Sequence, residues 1–170
     1  MSEQTYLNIA VLTISDTRNE ETDTSGHYLV KAATDAGHHI ADKKIVIDDV
    51  YQIRAVISDW IADNNIHAIV TTGGTGFSGR DSTPEAVSVL FDKHVEGFGE
   101  VFRSISLEEI GVSTIQSRAL AGLANNTVIF CIPGSTGACK TAWNNIIEKQ
   151  LNSAYRPCNF VGHLTEKWTK

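Results

Sequence analysis

Several short polar segments carry residue types that could hold or transfer a phosphate. Thr71-Thr72-Gly73-Gly74-Thr75-Gly76 has three glycines in four residues, so its backbone can turn tightly and offer several N–H groups to one anion. A glycine-rich turn without a ligand is the bland alternative. Pro133-Gly134-Ser135 precedes a helical pattern and offers a second anion site. Ser135 has no evident base in the sequence, so it reads as a hydrogen-bond donor and not as a nucleophile. Asp48 and Asp81 bring carboxylates toward the glycine run. Together they could hold Mg²⁺ against a nucleotide phosphate, because that ion takes one or two carboxylates plus phosphate oxygens. The alternatives are that Asp48 or Asp49 caps a helix, the better reading for Asp49, and that Asp81 pairs with a nearby arginine. Ser15 lies in a further polar segment with Arg18, and Arg18 and Arg80 could each clamp a phosphate with a planar guanidinium or simply be solvated.

Two familiar phosphate motifs are only partly matched. Gly74-x-Gly76-x-x-Gly79 has dinucleotide-fingerprint spacing, but the helix start, Thr83-Pro84-Glu85, comes after the glycines and not among them. Gly134 to Thr141 approximates a phosphate loop, yet Cys139 stands where a glycine belongs and no later strand ends in a metal-binding Asp. Neither assignment is adopted. The histidines lack paired metal-ligand spacing, and His38-His39 read as exposed turn residues.

The elements that must position these segments alternate. Tyr6 to Ile14, Lys43 to Ile47, His67 to Thr72 and Thr127 to Ile132 are apolar, partly β-branched runs that read as strands. Helical spacing follows in Tyr28 to Ala36, Ile53 to Ile61, Pro84 to Phe91, Phe98 to Glu109 and Ala138 to Leu151, with Thr83 as the cap before Pro84. The stretch from Asn152 onward gives no clear pattern. Such alternation predicts an α/β fold with a mostly parallel sheet covered on both faces. Ligands in these sheets bind beyond the carboxyl ends of the strands. Ser15 to Arg18, Ile47 to Asp49, Thr71 to Asp81 and Pro133 to Ser135 should therefore share one edge.

With 170 residues and 42% apolar composition, the chain reads as one domain, residues 1–170, with one core. A net charge of −6 without a basic run argues against nonspecific nucleic-acid binding. No run approaches the length of a membrane span, and the amino terminus lacks a signal-peptide pattern. Three cysteines without a C-x-x-C pair indicate neither a disulfide framework nor a thiolate metal site, so a cytoplasmic setting is expected.

Three motifs occur in order: Thr71 to Gly76, then Arg80-Asp81-x-Thr83-Pro84-Glu85-Ala86, then Pro133-Gly134-Ser135. With the opening Ile14-Ser15-Asp16-Thr17-Arg18, they resemble the signature of the MoaB/Mog family over nearly the whole chain. That resemblance implies a three-layer α/β/α subunit, homotrimeric or hexameric, that binds molybdopterin and works with other cofactor-synthesis proteins. Mog-like members transfer AMP from Mg-ATP to the terminal phosphate of the pterin. Carried over by motif, Asp81 and Asp48 are the catalytic and Mg²⁺-binding positions. Ser15, Arg18, Gly73, Gly74, Thr75, Gly76, Pro133, Gly134 and Ser135 form the ligand-binding set. One departure stands out: Thr136-Gly137 follows Gly134-Ser135, where many adenylylating members have a second proline. Three readings stay open: an Mg-dependent adenylyltransferase, a non-catalytic molybdopterin binder or carrier, and a nucleotide-binding regulator. Oligomerisation is expected from the resemblance, and secondarily from Phe98, Val101 and Phe102 on a helix outside the regular alternation.

Overall fold

The computed structural model of the chain describes residues 3–165. Six strands form one sheet in the order β2-β1-β3-β6-β5-β4. β1 (Asn8–Ile14), β2 (His39–Val46), β3 (Ala68–Thr72) and β6 (Thr127–Ile132) run parallel, while β5 (Leu120–Ala124) and β4 (Lys93–His94) complete an antiparallel edge. The sheet is thus mostly parallel, as the alternation predicts.

Strand alternation divides the core in two. Leu7, Ile9 and Val11 face one layer with Val128, Phe130 and Ile132, against α1 (Thr24–Asp35), α4 (Glu96–Ile110) and α5 (Thr136–Ala142). Ala10, Leu12 and Ile14 face the other with Ile129 and Cys131, against α2 (Val50–Ala62) and α3 (Thr83–Val87). Each fully buried Leu, Ile or Phe in these layers contributes about 1.5–3 kcal/mol. α5 continues through a π-helical stretch, Trp143–Ile147, to α6 (Glu148–Gln150), and α7 (Val161–Thr165) closes the first layer through Val161 and Leu164.

Several local features differ from the sequence reading. β2 begins at His39 and not Lys43. β5 and β4 have no counterpart among the expected strands. β5 joins β6 through Asn125-Asn126, both at positive φ (47° and 62°), which is the backbone of a tight hairpin turn. His38 is buried and not exposed: its Nδ1 accepts the Leu7 N–H at 3.1 Å. Phe98 and Phe102 belong to the core, which leaves Val101 as the exposed member of that trio. Ser82, not Thr83, occupies the cap of α3. Cys131, Cys139 and Cys158 are free thiols. No helix among the described residues is long and apolar enough to cross a membrane.

Candidate functional site at the carboxyl ends of the parallel strands

β1 is hydrogen-bonded to both β2 and β3, and the chain leaves β1 toward β2 but leaves β3 toward β6. The connections diverge there and open a crevice, the place where doubly covered sheets bind ligands. A cleft of about 530 Å³ occupies it. Its lining includes Ser15, Asp16, Asp48, the Gly73 to Gly76 loop, Arg80, Asp81 and Pro133 to Ser135. All four segments expected at this edge contribute to it. Arg18 does not: its guanidinium donates to the Thr22 carbonyl at 2.6 Å, outside the lining.

The glycine loop is folded by what lies behind it. Gly73 (φ +110°) and Gly74 (φ +68°) occupy backbone conformations that disfavour a side chain. The Gly73 N–H donates to the Ile132 carbonyl at 3.0 Å. Thr83 turns back, its Oγ1 donating to the Gly73 carbonyl at 2.8 Å and its N–H to the Gly74 carbonyl at 3.0 Å. The N–H groups of Gly74, Thr75 and Gly76 have no acceptor among the described residues. Three unspent amides beside a cleft can bind an anion.

Two carboxylates flank this loop. Asp48 Oδ1 accepts from the N–H of Ser82 at 3.1 Å and from its hydroxyl at 2.5 Å. Withdrawal from water pushes the Asp48 carboxyl above the usual range; the Ser82 bonds oppose this, and the neighbouring charges of Asp81 and Asp16 add to it. Asp81 Oδ2 accepts the Ser78 N–H at 2.9 Å. Asp48 Oδ2 and Asp81 Oδ1 make no hydrogen bond among the described residues. Asp49 takes the other expected role, capping α2 by accepting from Tyr51 and Gln52 N–H at 3.0 and 2.9 Å.

Arg80 is not a free clamp. Its Nε and Nη2 donate to Asp16 at 2.9 and 2.8 Å, and Asp16 Oδ1 also accepts the Asp48 N–H at 3.0 Å. The Arg80 bonds, then the Asp48 amide, hold the Asp16 carboxyl down at about 2. Asp16 therefore ties three of the four loops together, a role not apparent from its position in sequence.

On the fourth side, Ser135 Oγ accepts the Ala138 N–H at 3.1 Å and caps α5, while its residue still lines the cleft. Ser25 Oγ donates to the Gly134 carbonyl at 2.8 Å. Thr136 donates to Thr24 Oγ1 at 3.1 Å. A further wall comes from α4 and the turn after it, including Phe102, Ser106 and Gln116. Sequence reasoning missed this wall because it lies outside the regular strand and helix alternation.

Asp48 and Asp81 each keep one carboxylate oxygen without a hydrogen bond among the described residues, so both could take part in holding a divalent ion that arrives with phosphate. No group of three or more His, Cys, Asp or Glu side chains among the described residues could enclose a metal, but Mg²⁺ bound with a phosphorylated substrate needs only one or two carboxylates.

The chain matches the family described as "Probable molybdopterin binding domain" over residues 10–153. It is 59% identical over 156 residues to molybdenum cofactor biosynthesis protein B of Escherichia coli (strain K12), spanning 92% of each chain. The protein of that name from Bacillus cereus is 45% identical, over 91% of this chain and 86% of that one. A crystal structure of molybdenum cofactor biosynthesis protein B superposes with a TM-score of 0.84 at 43% identity, covering 86% of this chain and 92% of that one. The tungsten cofactor synthesizing protein MoaB from Pyrococcus furiosus gives 0.76 at 36% identity, covering 85% and 92%. Ordered motifs, sheet topology and whole-length similarity agree, and this chain belongs to the MoaB/Mog family of molybdenum cofactor biosynthesis proteins.

Proposed function

We propose that the protein serves molybdenum cofactor synthesis in the cytoplasm by binding molybdopterin, with the terminal phosphate of the pterin on the amides of Gly74, Thr75 and Gly76. The observation that carries this reading is the set of three unspent N–H groups at the switch point of a parallel sheet. Neutral amides suit this cleft because its cation, Arg80, is engaged by Asp16. Ser15, Pro133, Gly134 and Ser135 bound the remainder of the ligand. Family membership supports the choice of pterin over other phosphorylated ligands.

A second reading, adenylyl transfer from Mg-ATP, is favoured by the free oxygens of Asp48 and Asp81 on either side of the loop. In that reaction an oxygen of the pterin phosphate attacks the α-phosphorus of ATP. The bond from that phosphorus to the bridging oxygen breaks, and pyrophosphate leaves. Mg²⁺ held by Asp48 and Asp81 would neutralise charge on the phosphates when bound, and the loop amides would steady the attacking group. The Thr136 departure leaves simple binding or carriage as the alternative.

The test is incubation of purified protein with molybdopterin, Mg²⁺ and labelled ATP. Adenylylated pterin and released pyrophosphate are the products of transfer. Pterin retention without either product supports the carrier reading, and no retention overturns both.

A further inference from the structure

Arg118 lies 42 residues from Gly76 in sequence, yet it holds the glycine loop from behind. Its Nε and Nη2 donate to the Gly76 carbonyl at 3.0 and 2.7 Å. Nη2 also donates to the Asp81 carbonyl at 3.2 Å, and the Arg118 N–H donates to the Thr75 carbonyl at 3.0 Å. Nη1 pairs with Glu85 of α3, and the guanidinium lies 5.0 Å from the centre of the Phe77 ring. Arg118 itself does not line the cleft, and neither does Thr83.

The C=O and N–H of a trans peptide unit point in opposite directions. Fixing the Thr75 carbonyl on Arg118 therefore directs the Gly76 N–H to the other side of that unit. Thr83 acts in the same way on the Gly73 and Gly74 carbonyls, and so directs the Gly74 and Thr75 N–H groups. The two residues thus hold four successive carbonyls, from Gly73 to Gly76, and neither of them lines the cleft. Glycine has the largest conformational freedom to lose, so without this hold the loop would sample orientations in which its amides diverge.

We infer that Arg118 is a positioning residue of the anion site: it grips the carbonyls of Thr75, Gly76 and Asp81 so that the loop amides stay turned toward the cleft. The inference rests on the reading of the loop as an anion site. Arg118 needs both its planar fork and its backbone N–H for this, and a lysine supplies one donor head in place of the fork.

The test uses pyrophosphate as the probe, and protein carrying isotope-labelled glycine, observed by NMR. In the parent protein the Gly74 and Gly76 amide signals should shift on titration. Arg118→Lys, which keeps the charge, and Arg118→Gln should both weaken the titration by roughly tenfold or more, and melting temperature is measured alongside. Parental titration by Arg118→Lys would reduce the role to charge and overturn the inference. So would a lowered melting temperature with unchanged titration in either variant, which is what a purely structural role gives. Absence of any shift in the parent would instead overturn the anion site itself. Should Arg118→Gln fail to fold, Arg118→Lys alone decides between these outcomes.

Discussion

Gly74 lies so close to Asp48 that a Cβ at position 74 would sit 2.7 Å from Asp48 Oδ2 and 2.3 Å from Thr83 Oγ1. The loop and the acidic rim are therefore one construction, in which the missing side chain makes room for the carboxylate.

This spacing orders the effects of three alanine substitutions. At Gly73 a Cβ would meet the Ile14 carbonyl oxygen at 2.1 Å with φ +110°, and a backbone atom cannot swing away, so Gly73→Ala should cost about 2–4 kcal/mol. Gly74→Ala meets side-chain atoms at φ +68° and should cost about 1–3 kcal/mol. Gly76 has no positive φ, and a Cβ there would meet the side chain of Asp81, with Oδ2 nearest at 2.7 Å. Gly76→Ala should therefore stay within about 1 kcal/mol of the parent while displacing Asp81. Urea unfolding of the three variants checks the order, and equal costs would contradict it.

Replacing the two carboxylates should separate chemistry from folding. In Asp81→Asn the amide oxygen can still accept the Ser78 N–H, so stability should change by no more than about 0.5 kcal/mol. Asp48→Asn keeps an acceptor for Ser82 and removes a charge that burial disfavours, so it should stay within about 1 kcal/mol of the parent. Both should impair Mg-dependent nucleotide binding far more than binding of metal-free pterin. Isothermal titration with and without Mg²⁺ makes the comparison, and loss of pterin binding irrespective of Mg²⁺ would instead indicate a direct pterin contact.

The buried His38 and the half-buried His67 should make the fold sensitive to mild acid. His38 and His67 accept the Leu7 and Asn8 N–H groups through Nδ1, and burial pushes both rings below the usual value of 6.5. Folded protein then binds these protons less readily than unfolded chain. Stability is accordingly full above pH 6.5 and falls as pH drops below it. Substituting Asn at either position keeps an acceptor but removes the titration, so the slope of unfolding free energy against pH should flatten. An unchanged slope in His38→Asn and His67→Asn would contradict this assignment.

Assembly should cover the exposed end of α4 and the turn after it. Val112 and Ile115 are 75% and 70% exposed there, close to Gln116 of the cleft wall. Light scattering should give three or six times the chain mass of 18.5 kDa, and Val112→Glu should lower it. A stable mass of one chain would contradict a homo-oligomer.

The legible parts of the fold are those with a strong local signal. β6 reads directly from Thr127 to Ile132 because the run is apolar, β-branched and buried on both faces. β5 does not, because Leu-Ala-Gly-Leu-Ala has no β-branched residue. Its Gly122 is fixed by tertiary packing, since a Cβ there would strike the Phe91 ring at 2.2 Å. The cleft-forming loops are legible from topology, since parallel strands must deliver their carboxyl ends together. The supports are not. Asp16 and Arg80 meet across 64 residues, and Arg118 reaches the glycine loop across 42, separations at which no periodicity operates. His38 looks like a turn residue until its neighbour Leu7 is seen to need an acceptor.

If the cleft holds molybdopterin by its phosphate on the Gly74, Thr75 and Gly76 amides, that phosphate must carry much of the affinity. Equilibrium binding of molybdopterin, compared with the same pterin after enzymatic removal of its phosphate, tests this most directly. The dephosphorylated ligand should bind at least about tenfold more weakly, the loss expected when charge-assisted hydrogen bonds are removed. Equal affinity for the two forms would contradict it.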